Sequence, residues 1–103
     1  MKTEIINHLK DAFGLEDADV KDIYDSYVSA FEKELSQMPS LLESGNFAEL
    51  KRSAHTVKGC ALNCGDSKTA EIAIKFQELA QAQDAPACQE KINQLKTQFE
   101  ELK

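Results

Sequence analysis

The chain has no tryptophan, 2 prolines, 4 glycines and 3 cysteines among its 103 residues. So little Gly and Pro excludes the turn-dense all-β folds, which need a turn signal every ten residues or so. An odd number of cysteines (Cys60, Cys64, Cys88) cannot close into a complete disulfide set, and Cys60 and Cys64 stand four apart rather than as Cys-x-x-Cys. Three Cys and two His without paired spacings do not make a zinc site, so the thiols are read as small apolar residues and Cys88 as core. No apolar run approaches the roughly 20 residues of a membrane span. The stretch Met1–His8 has neither an unbroken apolar centre nor a small-residue cleavage site, which makes the cytoplasm the expected compartment. Basic residues are also short: 12 against 18 acidic, a net charge of −6. That excludes gripping nucleic acid through a cationic face. With 42% hydrophobic and 29% charged residues, a globular chain is expected, and the length fits a single domain over 1–103.

What is present is helical periodicity. Ile5, Ile6, Leu9 and Phe13 recur at helical intervals before Gly14. Val20, Ile23, Tyr24, Tyr27, Val28, Phe31 and Leu35 continue the rhythm behind Asp17 and Asp19 as candidate N-caps. Pro39 clashes with a helical carbonyl at Leu35, which predicts an end or a kink near Leu35–Met38 and a separate turn at Leu41 and Leu42, closed by Gly45. Asn46 followed by Glu49 resembles a capping box and opens a helix whose apolar line is Phe47, Leu50, Ala54, Val57, Ala61 and Cys64, ended by Gly65. Asp66 or Ser67 caps the next helix, apolar over half its circumference (Ala70, Ile72, Ala73, Ile74, Phe76, Leu79, Ala80). Pro86 suits the first position of a last helix with the seam Cys88, Ile92, Leu95, Phe99 and Leu102. The expected fold is all-α: an antiparallel up-down four-helix bundle with a short extra N-terminal helix.

The chemistry stands on the polar side of the third of these segments. At 100° per residue, His55 projects roughly 140° away from the apolar line, toward water. Lys51, Arg52, Lys58 and Gly59 are its helical neighbours, and no acidic residue lies between Leu50 and Gly65. Residues 1–45, by contrast, hold 4 basic and 10 acidic side chains. A cationic surround disfavours protonating an imidazole and so favours its neutral, nucleophilic form. The same cations would stabilise a phosphoryl group once attached. Gly59 in mid-helix costs about 1 kcal/mol against Ala, and it clears the space beside His55 for an approaching molecule. Leu62 falls beside this cluster rather than in the core line. His8 lacks basic neighbours of this kind and is read as structural or solvent-facing, and Tyr24 and Tyr27 as packing.

The run Ala54-His55-Thr56-Val57-Lys58-Gly59-Cys60-Ala61-Leu62-Asn63-Cys64-Gly65 resembles the signature of histidine-containing phosphotransfer (HPt) domains, His-x-x-Lys-Gly followed by small residues and a glycine. The layout of the flanking helices extends the resemblance over roughly residues 17–84. It departs from the family in having Asn46 where Asp is frequent, and Cys60 and Cys64 where other small or apolar residues are usual. The resemblance implies a helical bundle in which His55 takes a phosphoryl group from the aspartate of one receiver domain and passes it to another. Lys58 would neutralise the group, Gly59 would give clearance, and Gln77, one helix over, would hydrogen-bond near His55. Lys51, Arg52 and Leu62 would contact the partner.

The sequence has no Gly-rich phosphate loop, Walker-type lysine or carboxylate cluster for magnesium. A phosphocarrier is therefore expected rather than an enzyme. It would have no cofactor of its own, and magnesium would come with the partner receiver. The expected state is a free-standing monomer shuttling between a hybrid sensor histidine kinase and a response regulator. Two other readings share the same residues. One is a bundle that regulates a receiver or a histidine kinase by docking alone. The other is the phosphoacceptor domain of a chemotaxis-type kinase.

Overall fold

Why the apolar residues recur every three or four positions is visible in the computed structural model, which describes residues 2–103. Among the described residues every regular element is a helix: α1 (Lys2–Phe13), α2 (Asp17–Glu43), α3 (Phe47–Cys64), α4 (Ser67–Gln81) and α5 (Ala85–Leu102). Each helix turns one stripe inward. Val20, Tyr24, Tyr27, Phe31, Leu35 and Met38 do so on α2, and Leu50, Ala54, Val57, Ala61 and Cys64 on α3. From α4 come Ala70, Ala73, Phe76 and Ala80, and from α5 the expected seam Cys88, Ile92, Leu95, Phe99 and Leu102. α3 packs between α2 and α4, α5 closes the other side against the same two helices, and α1 leans on α2 and α3 through Ile5 and Leu9. The result is a helical bundle 43 Å long and 19 Å across.

Local chemistry sets the boundaries. The side chains of Asn46, Asp66 and Asp84 accept the backbone N–H groups of Glu49, Thr69 and Ala87 at 3.2, 3.3 and 3.2 Å, which satisfies one orphan donor at each of three N-termini. Gly65 ends α3 at φ +74°, where its N–H and that of Asp66 close on the carbonyls of Leu62 and Ala61.

Several expectations are corrected. α2 starts behind Glu16, which makes no side-chain cap, and Asp17 and Asp19 sit inside the first turn, where their charge opposes the positive helix end. The same helix does not stop before Pro39. It runs on to Glu43, because the buried Met38 and the half-buried Leu41 and Leu42 gain enough core contact to offset one missing hydrogen bond. The capping box at Asn46 is half made: the Asn46 N–H goes to the Leu41 carbonyl and the Glu49 carboxylate to Arg52. α5 begins at Ala85, one residue ahead of Pro86. Phe13, Ile23 and Ile74, expected inside, are 57%, 37% and 42% exposed. Phe13 lies in the last turn of α1, and Ile23 and Ile74 flank stripes whose neighbours already fill the core. His8 is half-buried, with its ring against Gly65 and edge-on to Phe13, which is a packing role. Tyr24 and Tyr27 are core as expected, and their hydroxyls donate to the Leu102 carbonyl and the Asp66 carboxylate.

Candidate functional site

The outward side of α3 follows from its inward one. With Leu50, Ala54, Val57 and Ala61 committed to the core, the positions between them face water, and His55 is exposed near the middle of the helix. The Gln77 Nε2 atom on α4 lies 3.5 Å from His55 Nδ1. One turn earlier on α3, the Lys51 ammonium donates to Gln81 Oε1 at 2.7 Å. Residue 55 meets 77 and residue 51 meets 81, so α3 and α4 run in opposite directions past each other. The two glutamines form a polar rail along the histidine.

The basic residues do not act alike. Arg52 leans on the Glu49 carboxylate at 3.6 Å, and Lys51 is held by Gln81, so both cations already have partners. Lys58, one turn beyond His55, is half-buried and has no hydrogen-bond or ion-pair partner among the described residues. Gly59 sits beside them with open space where a side chain would be, since a Cβ there meets no atom within 4 Å. A close helix crossing is therefore not what this glycine serves. Leu62, two turns beyond His55 on the same face, is 55% exposed.

Two residues of this surface were missed by periodicity. Gln81 is four residues beyond Gln77 and shares its face, a spacing that could have flagged it. Ile74, three residues before Gln77, was hidden among the other apolar side chains of α4.

The thiols stand apart from this surface. Burial, and then the Glu34 charge, push the Cys60 thiol up, and burial foremost pushes Cys64 up to about 11, so both stay protonated at neutral pH. Among the described residues no three His, Cys, Asp or Glu side chains are grouped to hold a metal ion, and no helix is long and apolar enough to cross a membrane.

The arrangement presents a reachable ring nitrogen, a free ammonium one turn away, an amide at the other ring nitrogen and an uncluttered approach. That combination can accept an anionic group and hold it at a protein–protein interface. Compared with known families, residues 22–103 match the Hpt domain, which takes in nearly all of α2 and the whole of α3, α4 and α5. No curated protein and no solved structure matches the chain.

Proposed function

This chain belongs to the Hpt domain family, whose members are phosphocarriers that meet receiver domains in phosphorelays, and from that premise we propose that His55 carries the phosphoryl group. The reading rests above all on one observation: His55 stands exposed with Gln77 3.5 Å from Nδ1, and its Nε2 has no partner among the described residues.

The Nε2 lone pair attacks the phosphorus of an aspartyl phosphate on the receiver. An N–P bond forms, the acyl P–O bond breaks, and its electron pair leaves with the aspartate carboxylate. Attack through Nε2 requires the ring proton on Nδ1, and a half-turn of the Gln77 amide presents Oε1 to accept from that N–H. The free Lys58 ammonium lies on the same face as the incoming oxygens and offsets their charge. The open side at Gly59 admits the receiver backbone. Lys51, Arg52 and Leu62 form the contact surface around the histidine. Return of the group to a second receiver is the same step reversed.

The receiver brings the magnesium and the acidic pocket, and this chain brings neither a nucleotide site nor a metal of its own. The finer picture is a cytoplasmic, monomeric, single-domain carrier. It is built as an antiparallel up-down four-helix bundle (α2 to α5) with α1 appended, and it works between a hybrid sensor histidine kinase and a response regulator.

Incubated with a phosphorylated receiver domain and magnesium, the chain is expected to gain a phosphate that is acid-labile and base-stable. His55→Gln loses it while keeping its helical circular dichroism. Lys58→Ala slows transfer without a measurable loss of stability, because the ammonium has no hydrogen-bond or ion-pair partner among the described residues to lose. Label that survives in His55→Gln removes this residue from the role. Receiver binding without label selects the docking module, and labelling only by ATP with a separate kinase domain selects the chemotaxis-type acceptor.

A further inference from the structure

Three cations stand within about a turn of His55 on α3, and two of them are engaged: Lys51 by Gln81 and Arg52 by Glu49. Lys58 differs. It has no hydrogen-bond or ion-pair partner among the described residues, yet it is half-buried. A lysine with a free ammonium loses that much solvent contact only when its alkyl stem lies along other side chains.

The register of α3 on α4 says which side chains these are. His55 meets Gln77 and Lys51 meets Gln81, four residues back on one helix and four residues on along the other. The same antiparallel pairing, continued one turn the other way, sets position 58 beside position 74. Ile74 stands there, 42% exposed. On α3 itself the long apolar neighbour is Leu62, four residues beyond Lys58 and 55% exposed, while Ala54 and Ala61 are short and fully buried. Side chains on a helix tilt toward its N-terminus, so Leu62 leans over Lys58 and Lys58 leans toward His55. Two large apolar side chains that the core leaves exposed thus flank a single lysine.

We propose that Ile74, together with Leu62, forms an apolar sleeve along the Lys58 stem and is a positioning residue for transfer. The sleeve narrows the rotamers of Lys58 and holds its ammonium ready for the phosphoryl oxygens on His55. This role rests on the phosphorelay reading of His55. An isoleucine suits it where a polar residue would not. It orders the methylenes by contact and offers no acceptor, so the charge stays free, whereas Gln81 and Glu49 take up those of Lys51 and Arg52. Restricting the lysine beforehand removes that loss of rotamer freedom from the transfer step itself.

The test uses the full chain with Ile74→Ala, Ile74→Leu and Ile74→Glu. Ala is the better helix former and Ile74 lies outside the core, so the helical circular dichroism should be kept in Ile74→Ala. In side-chain carbon relaxation of the unphosphorylated native chain, the Lys58 Cδ and Cε groups should be more ordered than those of the exposed Lys75. Ile74→Ala should make the two lysines alike. With a phosphorylated receiver and magnesium, Ile74→Ala should lower the maximal transfer rate about fivefold, the scale of ordering one lysine side chain. The half-saturating receiver concentration should not move. Ile74→Leu should restore the rate, and Ile74→Glu, which brings a carboxylate to the ammonium, should slow transfer more than Ala does. In a double-mutant cycle, Ile74→Ala should have no further effect once Lys58 is replaced by Ala. A native Lys58 as mobile as Lys75 overturns the proposal. So does a loss from Ile74→Ala that persists in the Lys58→Ala chain, or a raised half-saturating concentration with the maximal rate kept, which is the mark of a receiver contact. A native chain that takes no label on His55 from any receiver overturns the phosphorelay reading, while the relaxation measurement still decides the sleeve.

Discussion

The most consequential buried residue outside the apolar core is Asp66, 1% exposed. It caps α4 through Thr69 N–H, accepts the Thr69 hydroxyl at 2.7 Å, and accepts the Tyr27 hydroxyl at 2.7 Å across from α2. A carboxylate taken out of water persists only with such partners. Removing one of them with Tyr27→Phe is expected to cost about 1.5–3 kcal/mol, read from urea unfolding at pH 7. Burial, with the Asp66 hydrogen bond second, raises the Tyr27 hydroxyl far above its ordinary value of 10.0. The stability tied to its neutral form is therefore whole below pH 10 and is lost as pH rises beyond it. Cys64, raised from 9.0 to about 11, adds a loss that starts near pH 9. Tyr27→Phe should accordingly show a shallower fall in stability above pH 10 than the native chain. Two glycines offer a sharper contrast. Gly59→Ala meets open space and should stabilise the fold by about 0.5–1 kcal/mol while slowing transfer. Gly65→Ala meets the His8 ring at a left-handed φ of +74° and should destabilise by about 1–2 kcal/mol, part of which His8→Ala restores. Equal melting shifts for the two glycine variants would contradict this reading.

At the scale of elements, α3 carries the chemistry because its two faces are kept separate. The inward line is unbroken from Leu50 to Cys64, and that continuity by itself places His55 on the polar side. α2 shows how pattern reading fails. Pro39 reads locally as a stop, and the helix passes through it to Glu43 because Met38 is fully buried one residue away. Pro39→Ala should therefore stabilise the protein by roughly 1–3 kcal/mol, measurable as a higher urea midpoint with unchanged m. A neutral or destabilising outcome would mean that the ring itself contributes packing. α4 reads from spacing as apolar over half its surface, and two of its features lie outside that pattern: the exposure of Ile74 and the contact of Gln81 with Lys51. Each depends on which neighbour α4 meets, and spacing within one helix does not carry that.

Over the whole molecule the charge is divided. Residues 1–45 hold the acidic excess and the surface around His55 the local basic one, so docking should be tighter at low salt than at high. α1 sits at the edge of this arrangement and buries Ile5 and Leu9 on α2 and α3. A chain lacking residues 1–15 should keep a cooperative helical fold and lose roughly 1–3 kcal/mol, since two buried aliphatic side chains are offset by the entropy of ordering α1. Thermal unfolding followed by circular dichroism checks it: loss of cooperativity would mean that α1 is integral to the bundle.

Helical class, the stripes that face inward, the caps at Asn46 and Asp66, and the outward aspect of His55 with Lys58 and Gly59 were all readable in the amino-acid order. Each follows from a 3.6-residue period or from a backbone preference acting within one helix. The passage of α2 through Pro39, the exposure of Phe13, Ile23 and Ile74, the meeting of Gln77 with His55 and the buried Tyr27–Asp66 bond were settled only by packing. They depend on which helix lies beside which, at what register, and that choice is made by the sum of contacts across the bundle rather than by any single segment.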